Sequence, residues 1–172
     1  MSFSARAASS ESGFARTTQR NASRAAGWTT AKPSVPGFAV AAGGCGEDFN
    51  HYRTTQLGGT PDRAVSILTT DVLAQLRAEG WPVGVGDLGE NLFVDGMAYG
   101  TFAVGRRFAV GTAAIVEVTE AVAPCAYLCA LPYLRPRWRC TDFIRTLDRR
   151  RGWYAKVLTP GPVAVGDPVV AL

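Results

Sequence analysis

Apolar positions in much of the chain recur with the period of two that β-strands produce. Between residues 114 and 119, Val116 and Val118 alternate with Ile115, Glu117 and Thr119, which predicts one buried and one wet face. Similar short segments, separated by glycine and proline, are predicted strands. They cover residues 63–68, 92–94, 107–110, 114–119, 153–158 and 163–172. This rhythm is typical of an antiparallel barrel or sandwich.

Two other segments have the apolar spacing of helices. The first begins at Thr69 or Thr70 and ends at Gly80. The second covers residues 141–151, is capped by its first or second residue, and ends with three arginines, which the negative end of a helix dipole favours. Since strands outnumber helices and do not alternate with them, a doubly wound sheet is excluded and a mainly β fold with peripheral helices (α+β) is predicted.

The segment 117–125 delivers one cysteine just beyond a predicted strand. Pro124 cannot donate to a sheet ladder, so we expect it to stop the strand and to hold Cys125 at the sheet rim, within reach of a ligand. A free cysteine is also a common small buried hydrophobe. This segment considered alone favours that second interpretation.

The remaining cysteines are Cys45, Cys129 and Cys140. Because the sequence shows no secretory signal and has ample apolar content for a core, we expect reduced thiols rather than disulfides. The spacing of Cys125 and Cys129 also fits half of a zinc site, whose other half would come from Cys45, Cys140 or His51.

The segment from Gly84 to Gly89 matches the letter pattern of a dinucleotide-binding turn. That turn must follow a strand and open a helix, whereas this segment follows a predicted helix and leads into a predicted strand. We therefore interpret its glycines as residues of tight turns. The polar pair Glu90 and Asn91 at the strand entrance either fixes a ligand or ties down the loop.

Length and charge define the domain. The 172 residues suffice for one core, and no apolar run approaches the roughly 18 residues that would predict a membrane span.

Residues 1–30 are rich in Ser, Ala and Arg, which predicts an organellar leader for plastid or mitochondrion, or else a disordered tail of a cytoplasmic protein. The folded domain is then expected at residues 31–172. Within residues 45–172, 13 basic and 13 acidic residues balance, so no nucleic-acid surface is indicated.

Three groups of segments together resemble a known family. They are residues 86–92; residues 104–111 with 117–119 and 124–125; and residues 151–157 with 160–161 and 166–167. In order and spacing they are similar to a MOSC domain, the module at the C-terminus of molybdenum cofactor sulfurases and in related stand-alone proteins. The resemblance covers about residues 30 to 172. It implies a compact MOSC-type β-barrel that binds the molybdenum pterin cofactor or handles sulfur destined for it.

The resemblance also implies roles for particular residues. Cys125 matches the family cysteine, which is a molybdenum ligand in related reductases and a candidate persulfide carrier, supplied by a pyridoxal-phosphate-dependent desulfurase, in the sulfurases. The first implied activity is reduction of a small N-hydroxylated substrate, and the alternative is sulfur carriage without turnover. Candidate cofactor-binding residues are Asn91, Arg63, Arg151 and Lys156. Since no flavin or iron-sulfur motif is evident, a reductase of this kind would need an electron-donor protein.

One departure from the family pattern lies ahead of the Pro61-Asp-Arg63 segment. Many members carry His-Gly-Gly there, but this chain has Leu57 in place of the histidine and Thr60 inserted. A ligand role for that histidine therefore cannot be transferred to this chain.

Overall fold

Short strands dominate the architecture. The computed structural model describes residues 12–18, 30–46 and 48–172. The strands formed by these residues are β1 (Ser12–Thr18), β2 (Ser34–Val35), β3 (Gly37–Ala41), β4 (Gly44–Cys45), β5 (Val65–Thr69), β6 (Leu92–Asp95), β7 (Arg107–Val110), β8 (Ala114–Ala121), β9 (Trp153–Thr159), β10 (Gly161–Ala164) and β11 (Pro168–Ala171). The α-helices are α1 (His51–Gln56), α2 (Thr70–Ala78) and α3 (Arg137–Thr146).

Seven of the described strands close into one barrel. Their order is β1, β11, β7, β8, β9, β5 and β6, and β6 pairs again with β1. All neighbours are antiparallel except β5 and β6, which are parallel. Strands β10, β3 and β4 form a small separate sheet. The predicted mainly β fold with peripheral helices is confirmed, and the barrel is the correct choice over a sandwich.

Strand β1 corrects the boundary expected from the sequence. Residues 12–18 fall inside the expected leader, residues 1–30, yet they pair with β11 and β6 and close the barrel. The prediction missed them because this strand has few large apolar residues and lies in an arginine-rich, acid-poor context. Residues 1–11 and 19–29 of the expected leader lie outside the described residues, and a leader removed at residue 30 would take β1 with it.

The barrel interior is filled by alternate residues of its strands. Val116 and Val118 are fully buried, while Ile115 and Glu117 between them are partly exposed, as their alternation predicts. Phe108 is also fully buried and stacks on Phe102 with ring centroids 4.4 Å apart. Burying each such large apolar side chain contributes about 1.5–3 kcal/mol, so the interior alone accounts for much of the stability.

A second apolar layer lies outside the barrel, beneath the helices. All five residues of β5 are buried, because one side of the strand faces the interior and the other faces this layer. The side chains of Leu68 in β5 and Phe93 in β6 lie on the outer face of the barrel, where they pack with Leu76 of α2 and Phe143 of α3. This layer holds the helices, and the segment that follows β8, against one side of the barrel.

Helix α3 begins four residues earlier than predicted. It starts at Arg137 after Pro136, and no side chain caps it. Pro136 is the N-cap residue, where its missing N–H removes no hydrogen bond from within the helix. The predicted strand 163–172 is likewise divided into β10 and β11 by a turn at Gly166, whose φ is +89°. In the described part of the chain, no helix is both long and apolar enough to cross a membrane.

Candidate functional site

A cavity of about 640 Å³ opens beside the barrel, where the segments that resemble the MOSC pattern converge. Its wall includes Cys125 from the segment after β8, Leu88 to Glu90 from the glycine-rich loop, and Arg151 at the entrance to β9. Its volume is within the range of about 300–1,000 Å³ that is usual for ligand pockets. Motifs that are far apart in the sequence therefore share one concave surface.

Cys125 is half-buried at this wall and is not in a strand. Strand β8 ends at Ala121, three residues before Pro124, so the expectation that proline stops the strand is wrong. The chain is held beyond the strand by a hydrogen bond from Val122 N to Gly152 O of 2.9 Å. Cys125 then precedes a short 3₁₀ helix, Ala126–Ala130. Its thiol is thus presented by a tethered loop that lines the cavity.

Arg151 connects the two loops of the cavity wall. Its Nη1 donates to Ala123 O at 2.5 Å, beside the cysteine, and its Nη2 donates to Leu88 O at 3.4 Å in the glycine-rich loop. The side chain is buried, at 8% exposure, and its Nε has no hydrogen-bond partner. Among the described residues, no carboxylate pairs with it. A buried guanidinium without a counter-ion is costly, and an anion in the cavity would offset that cost.

Arg63, in contrast, already has an acidic partner. Its Nε and Nη2 form a two-pronged ion pair with the carboxylate of Glu120, which also lines the cavity. Its guanidinium lies 5.1 Å from the ring centroid of Tyr154, and the hydrogen bond to Glu120 raises the pKa of Arg63. The charge of Arg63 is therefore already neutralised by Glu120, and the main role of this side chain is to hold the cavity wall in place.

Tyr154 lies among these charged groups. Burial raises the pKa of its phenol above the usual value, and Cys125 adds to the increase, while the charges of Arg151 and Arg63 oppose it. A phenol with a raised pKa keeps its proton at neutral pH. Among the described residues, the cavity thus brings together the Cys125 thiol, the protonated hydroxyl of Tyr154 and one cation without an acidic partner, Arg151.

Asn91 supports the wall from behind and does not line the cavity. Its Oδ1 accepts hydrogen bonds from the backbone and side chain of Ser66, and its Nδ2 donates to Asp48 at 2.8 Å. Asp48 also forms an ion pair with Lys32 at 2.7 Å, and both of these side chains are 5% exposed. The network ties β5 to the segments before it, so Asn91 acts here as a structural link.

Replacing Asn91 with alanine is therefore expected to destabilise the fold. The change leaves the buried N–H of Ser66 without its acceptor and removes a donor from Asp48, so the free energy of unfolding should fall by about 2–4 kcal/mol. Denaturant unfolding measures this. Asn50→Ala, which removes the cap of α1, is a matched control with an expected loss of about 1 kcal/mol. An unchanged unfolding midpoint for Asn91→Ala would contradict the structural role.

The glycine-rich loop is fixed by its own acidic residues, which supports interpreting its glycines as turn residues. Glu90 is buried and accepts a hydrogen bond from Gly86 N at 2.5 Å, and burial raises the pKa of its carboxyl. Asp87 accepts from Gly84 N at 2.8 Å and from the hydroxyl of Tyr133. A Cβ at Gly86 would come within 2.0 Å of Lys32 O, so only glycine fits this close approach.

Of the predicted site residues, the structure brings Cys125, Arg63 and Arg151 to the cavity. Lys156 is not brought there: its Nζ pairs with Glu117 at 2.8 Å. Sequence reasoning missed several lining residues, namely Lys32, Tyr52, Glu120, Tyr127 and Tyr154. Tyr154 could have been found, because it lies in the same motif as Arg151. Lys32 gave no signal, because its region matches the family pattern only loosely.

The cysteines are not all reduced, so the expectation of four free thiols is wrong. Cys129 and Cys140 form a disulfide with Cα atoms 5.3 Å apart, which joins the 3₁₀ helix after Cys125 to α3. The sequence did not reveal this pairing because it depends on how α3 packs on that segment. The zinc alternative has no support either, since no cluster of three potential metal ligands occurs among the described residues. Cys45 and Cys125 remain as free thiols.

The two free thiols should differ sharply in reactivity. Cys45 is 1% exposed and donates to Ala64 O, and burial raises its pKa to about 12, so it stays protonated and shielded up to strongly alkaline pH. Without reductant at pH 8, an aromatic disulfide reagent is expected to label one thiol in the native protein, two after unfolding and four after unfolding and reduction. Cys125→Ser should abolish the native signal, whereas Cys45→Ser should leave it intact. A native signal that survives Cys125→Ser would refute the assignment.

Comparisons with known proteins bear on the family and on the fold. The family model described as MOSC domain matches residues 54–170. A protein named "Reductase" from Gibberella moniliformis (strain M3125 / FGSC 7600) is 31% identical over 143 residues. That match covers 80% of this chain and 24% of the fungal protein, so the chain spans about a quarter of that relative's length.

Solved structures show the same fold. The YUAD protein from Bacillus subtilis superposes with a TM-score of 0.75 at 18% identity, over 95% of this chain and 97% of that one. YiiM from Geobacillus stearothermophilus gives a TM-score of 0.62 at 22% identity, covering 84% of this chain and 65% of that one. YiiM from Escherichia coli gives 0.62 at 20% identity, covering 94% and 69%. At these identities the likeness concerns the fold.

Proposed function

Because the chain belongs to the MOSC domain family, we propose that its cavity binds a molybdenum pterin cofactor, with Cys125 as molybdenum ligand, and that the protein reduces N-hydroxylated compounds. The observation that carries this proposal is the position of Arg151. A buried guanidinium without a carboxylate partner borders a cavity that a free thiol also lines.

The residues present suit such a cofactor. The terminal phosphate of a pterin cofactor is an anion, and Arg151 is the one lining arginine without an acidic partner among the described residues. The volume of about 640 Å³ accommodates a pterin-sized molecule. A cysteine thiolate is a soft ligand of the kind that a transition metal binds through sulfur. When bound, the cofactor would supply the two-electron redox chemistry that protein side chains lack.

The chain's own residues would orient and shield the reaction. The ion pair of Arg63 with Glu120 and the hydrogen bonds between Ser66 and Asn91 would hold the parts of the wall that these residues form. Tyr154 holds a proton at its Oη beside the cysteine. Reduction of an N-hydroxyl group consumes two electrons and two protons and releases water: R–NHOH + 2 e⁻ + 2 H⁺ → R–NH₂ + H₂O. A protonated phenol in the cavity can serve one of these proton transfers.

The curated relative's name supports a reductase, although three quarters of that protein lies outside the match. The test is the composition and turnover of protein purified from a host that makes the cofactor. Molybdenum and pterin in about equimolar amounts with the protein, together with reduction of an N-hydroxylated amidine by chemically reduced methyl viologen, support the proposal. Protein with neither molybdenum nor pterin after such expression contradicts it.

Sulfur carriage by Cys125 is the alternative, because its half-buried thiol is also open to a persulfide donor. Incubation with a pyridoxal-phosphate-dependent desulfurase and cysteine would then add one sulfur atom to Cys125. Intact mass measurement distinguishes the two functions: added sulfur on a molybdenum-free protein assigns carriage, and bound molybdenum with turnover assigns reduction.

A further inference from the structure

An exposed tryptophan follows two exposed arginines where α3 begins. Trp138 is 64% exposed, and Arg135 and Arg137 beside it are exposed as well. In the described part of the chain, neither guanidinium group has a carboxylate partner or a hydrogen bond. We call these three residues the Trp138 patch. Tryptophan and arginine are the residue types that most often dominate the binding energy of protein interfaces.

The stability of α3 does not explain this patch. The helix begins at Arg137 with no acidic residue in its first turn and no side-chain cap, so positive charge lies at the positive end of the helix dipole. Arginines farther along have partners: Arg145 with Asp142, and Arg150 with Glu79 at 2.6 Å. The positive charges of the patch therefore interact unfavourably with the helix dipole, and an acidic partner would offset this repulsion.

The patch is also physically connected to the cavity. Cys140, two residues after Trp138, is bonded to Cys129, and Cys129 belongs to the 3₁₀ helix that begins after Cys125. A 3₁₀ helix rises roughly 2 Å per residue, so Cys125 and Cys129 are separated by roughly 8–10 Å. The helix that carries the patch is thus cross-linked to the segment that carries Cys125.

We propose that the Trp138 patch is the docking surface of an acidic one-electron carrier protein. This inference rests on the proposed reductase function, which needs two electrons per N-hydroxyl group from an external donor. Two successive one-electron transfers from the reduced carrier, with two protons from solvent, balance the reaction. The indole ring would be buried at the centre of the contact, and the two guanidinium groups would pair with carboxylates of the carrier.

Binding is tested first with the holoprotein and a plant-type [2Fe–2S] ferredoxin as an acidic probe, by isothermal titration calorimetry. Trp138→Ala is expected to weaken binding about 30-fold, as for an interface hot spot, and Arg137→Glu by about tenfold or more. The affinity should fall as salt is raised. Arg149→Glu is the matched control, since it makes the same charge change at a 93% exposed position beyond the other end of α3. Equal affinities for wild type, Trp138→Ala and Arg137→Glu would overturn the proposal.

Turnover separates this proposal from the proposed reaction. With reduced methyl viologen, which needs no docking surface, Trp138→Ala and Arg137→Glu should match wild type. With reduced ferredoxin, both should lose at least about tenfold in kcat/KM for the carrier. If the wild-type protein turns over with reduced methyl viologen but not with reduced ferredoxin, the proposal of an acidic carrier is overturned. If neither reductant supports turnover, the reductase function fails, and calorimetry alone decides the docking surface.

Discussion

The Cys125→Ser protein is expected to retain almost no molybdenum. A serine hydroxyl stays protonated at neutral pH and is a poor ligand for a metal that binds through sulfur, whereas the thiolate is a soft donor. Loss of partners outside the ligand shell already weakens metal binding by about 10–100-fold, so loss of the ligand itself should cost more than about 100-fold. Elemental analysis of purified protein, normalised to protein concentration, measures this directly. Turnover should fall with the metal content.

Two controls keep that experiment decisive. Cys45→Ser changes the other free thiol, which lies in the core away from the cavity, and should retain full molybdenum content. Cys125 is only half-buried, so its replacement should leave the free energy of unfolding within about 0.5 kcal/mol of wild type. Normal molybdenum in Cys125→Ser would show that the cysteine is not a ligand.

The Arg151→Met protein is expected to fold but to lose the pterin component. Methionine fills similar space without charge, and removal of a buried, uncompensated cation offsets the two lost hydrogen bonds to carbonyl groups. A charge-assisted hydrogen bond contributes about 1.5–3 kcal/mol, so pterin affinity should fall by about 10- to 150-fold. Pterin fluorescence after oxidative release, compared at equal protein concentration, reports the occupancy.

The matched control for Arg151→Met is Lys156→Met. Lys156 was also predicted from the sequence to bind the cofactor, but it pairs with Glu117 and does not line the cavity. It should therefore keep wild-type pterin occupancy. Equal loss in both variants would indicate a general effect of net charge, and full occupancy in Arg151→Met would remove the anion-binding role from this arginine.

Local sequence patterns predicted those parts of the fold that local physics determines. The alternation in β8 and the continuous burial of β5 follow directly from the side-chain period of a strand and from the number of faces covered. The start of α3 was misplaced because the capping residues expected at position 141 or 142 are less decisive than Pro136 and the packing of Cys140 and Phe143 beneath the helix. Tertiary contacts overrode propensity there.

The candidate site was predicted in part. Cys125 and Arg151 lie in motifs whose spacing is specific, and both line the cavity. The pairing of Arg63 with Glu120 joins residues 57 positions apart, so no short-range pattern reveals it. The same holds for the Cys129–Cys140 disulfide, which requires two helices to meet. Charge compensation between distant residues, rather than residue identity, decides which arginine remains available for a ligand.

Closure of the barrel by β1 has a consequence for the synthesis of the chain. The register pairs residue 12 with residue 170, so the strand made early must wait for one of the last strands. At about 5–20 residues per second, the ribosome needs roughly 8–30 s to make the residues between β1 and β11. During that interval, the edges of β1 and β7 that later pair with β11 lack a partner strand. Unpaired strand edges promote aggregation. Translation speed and chaperone supply should therefore govern the yield of folded protein more than the stability of the finished barrel does.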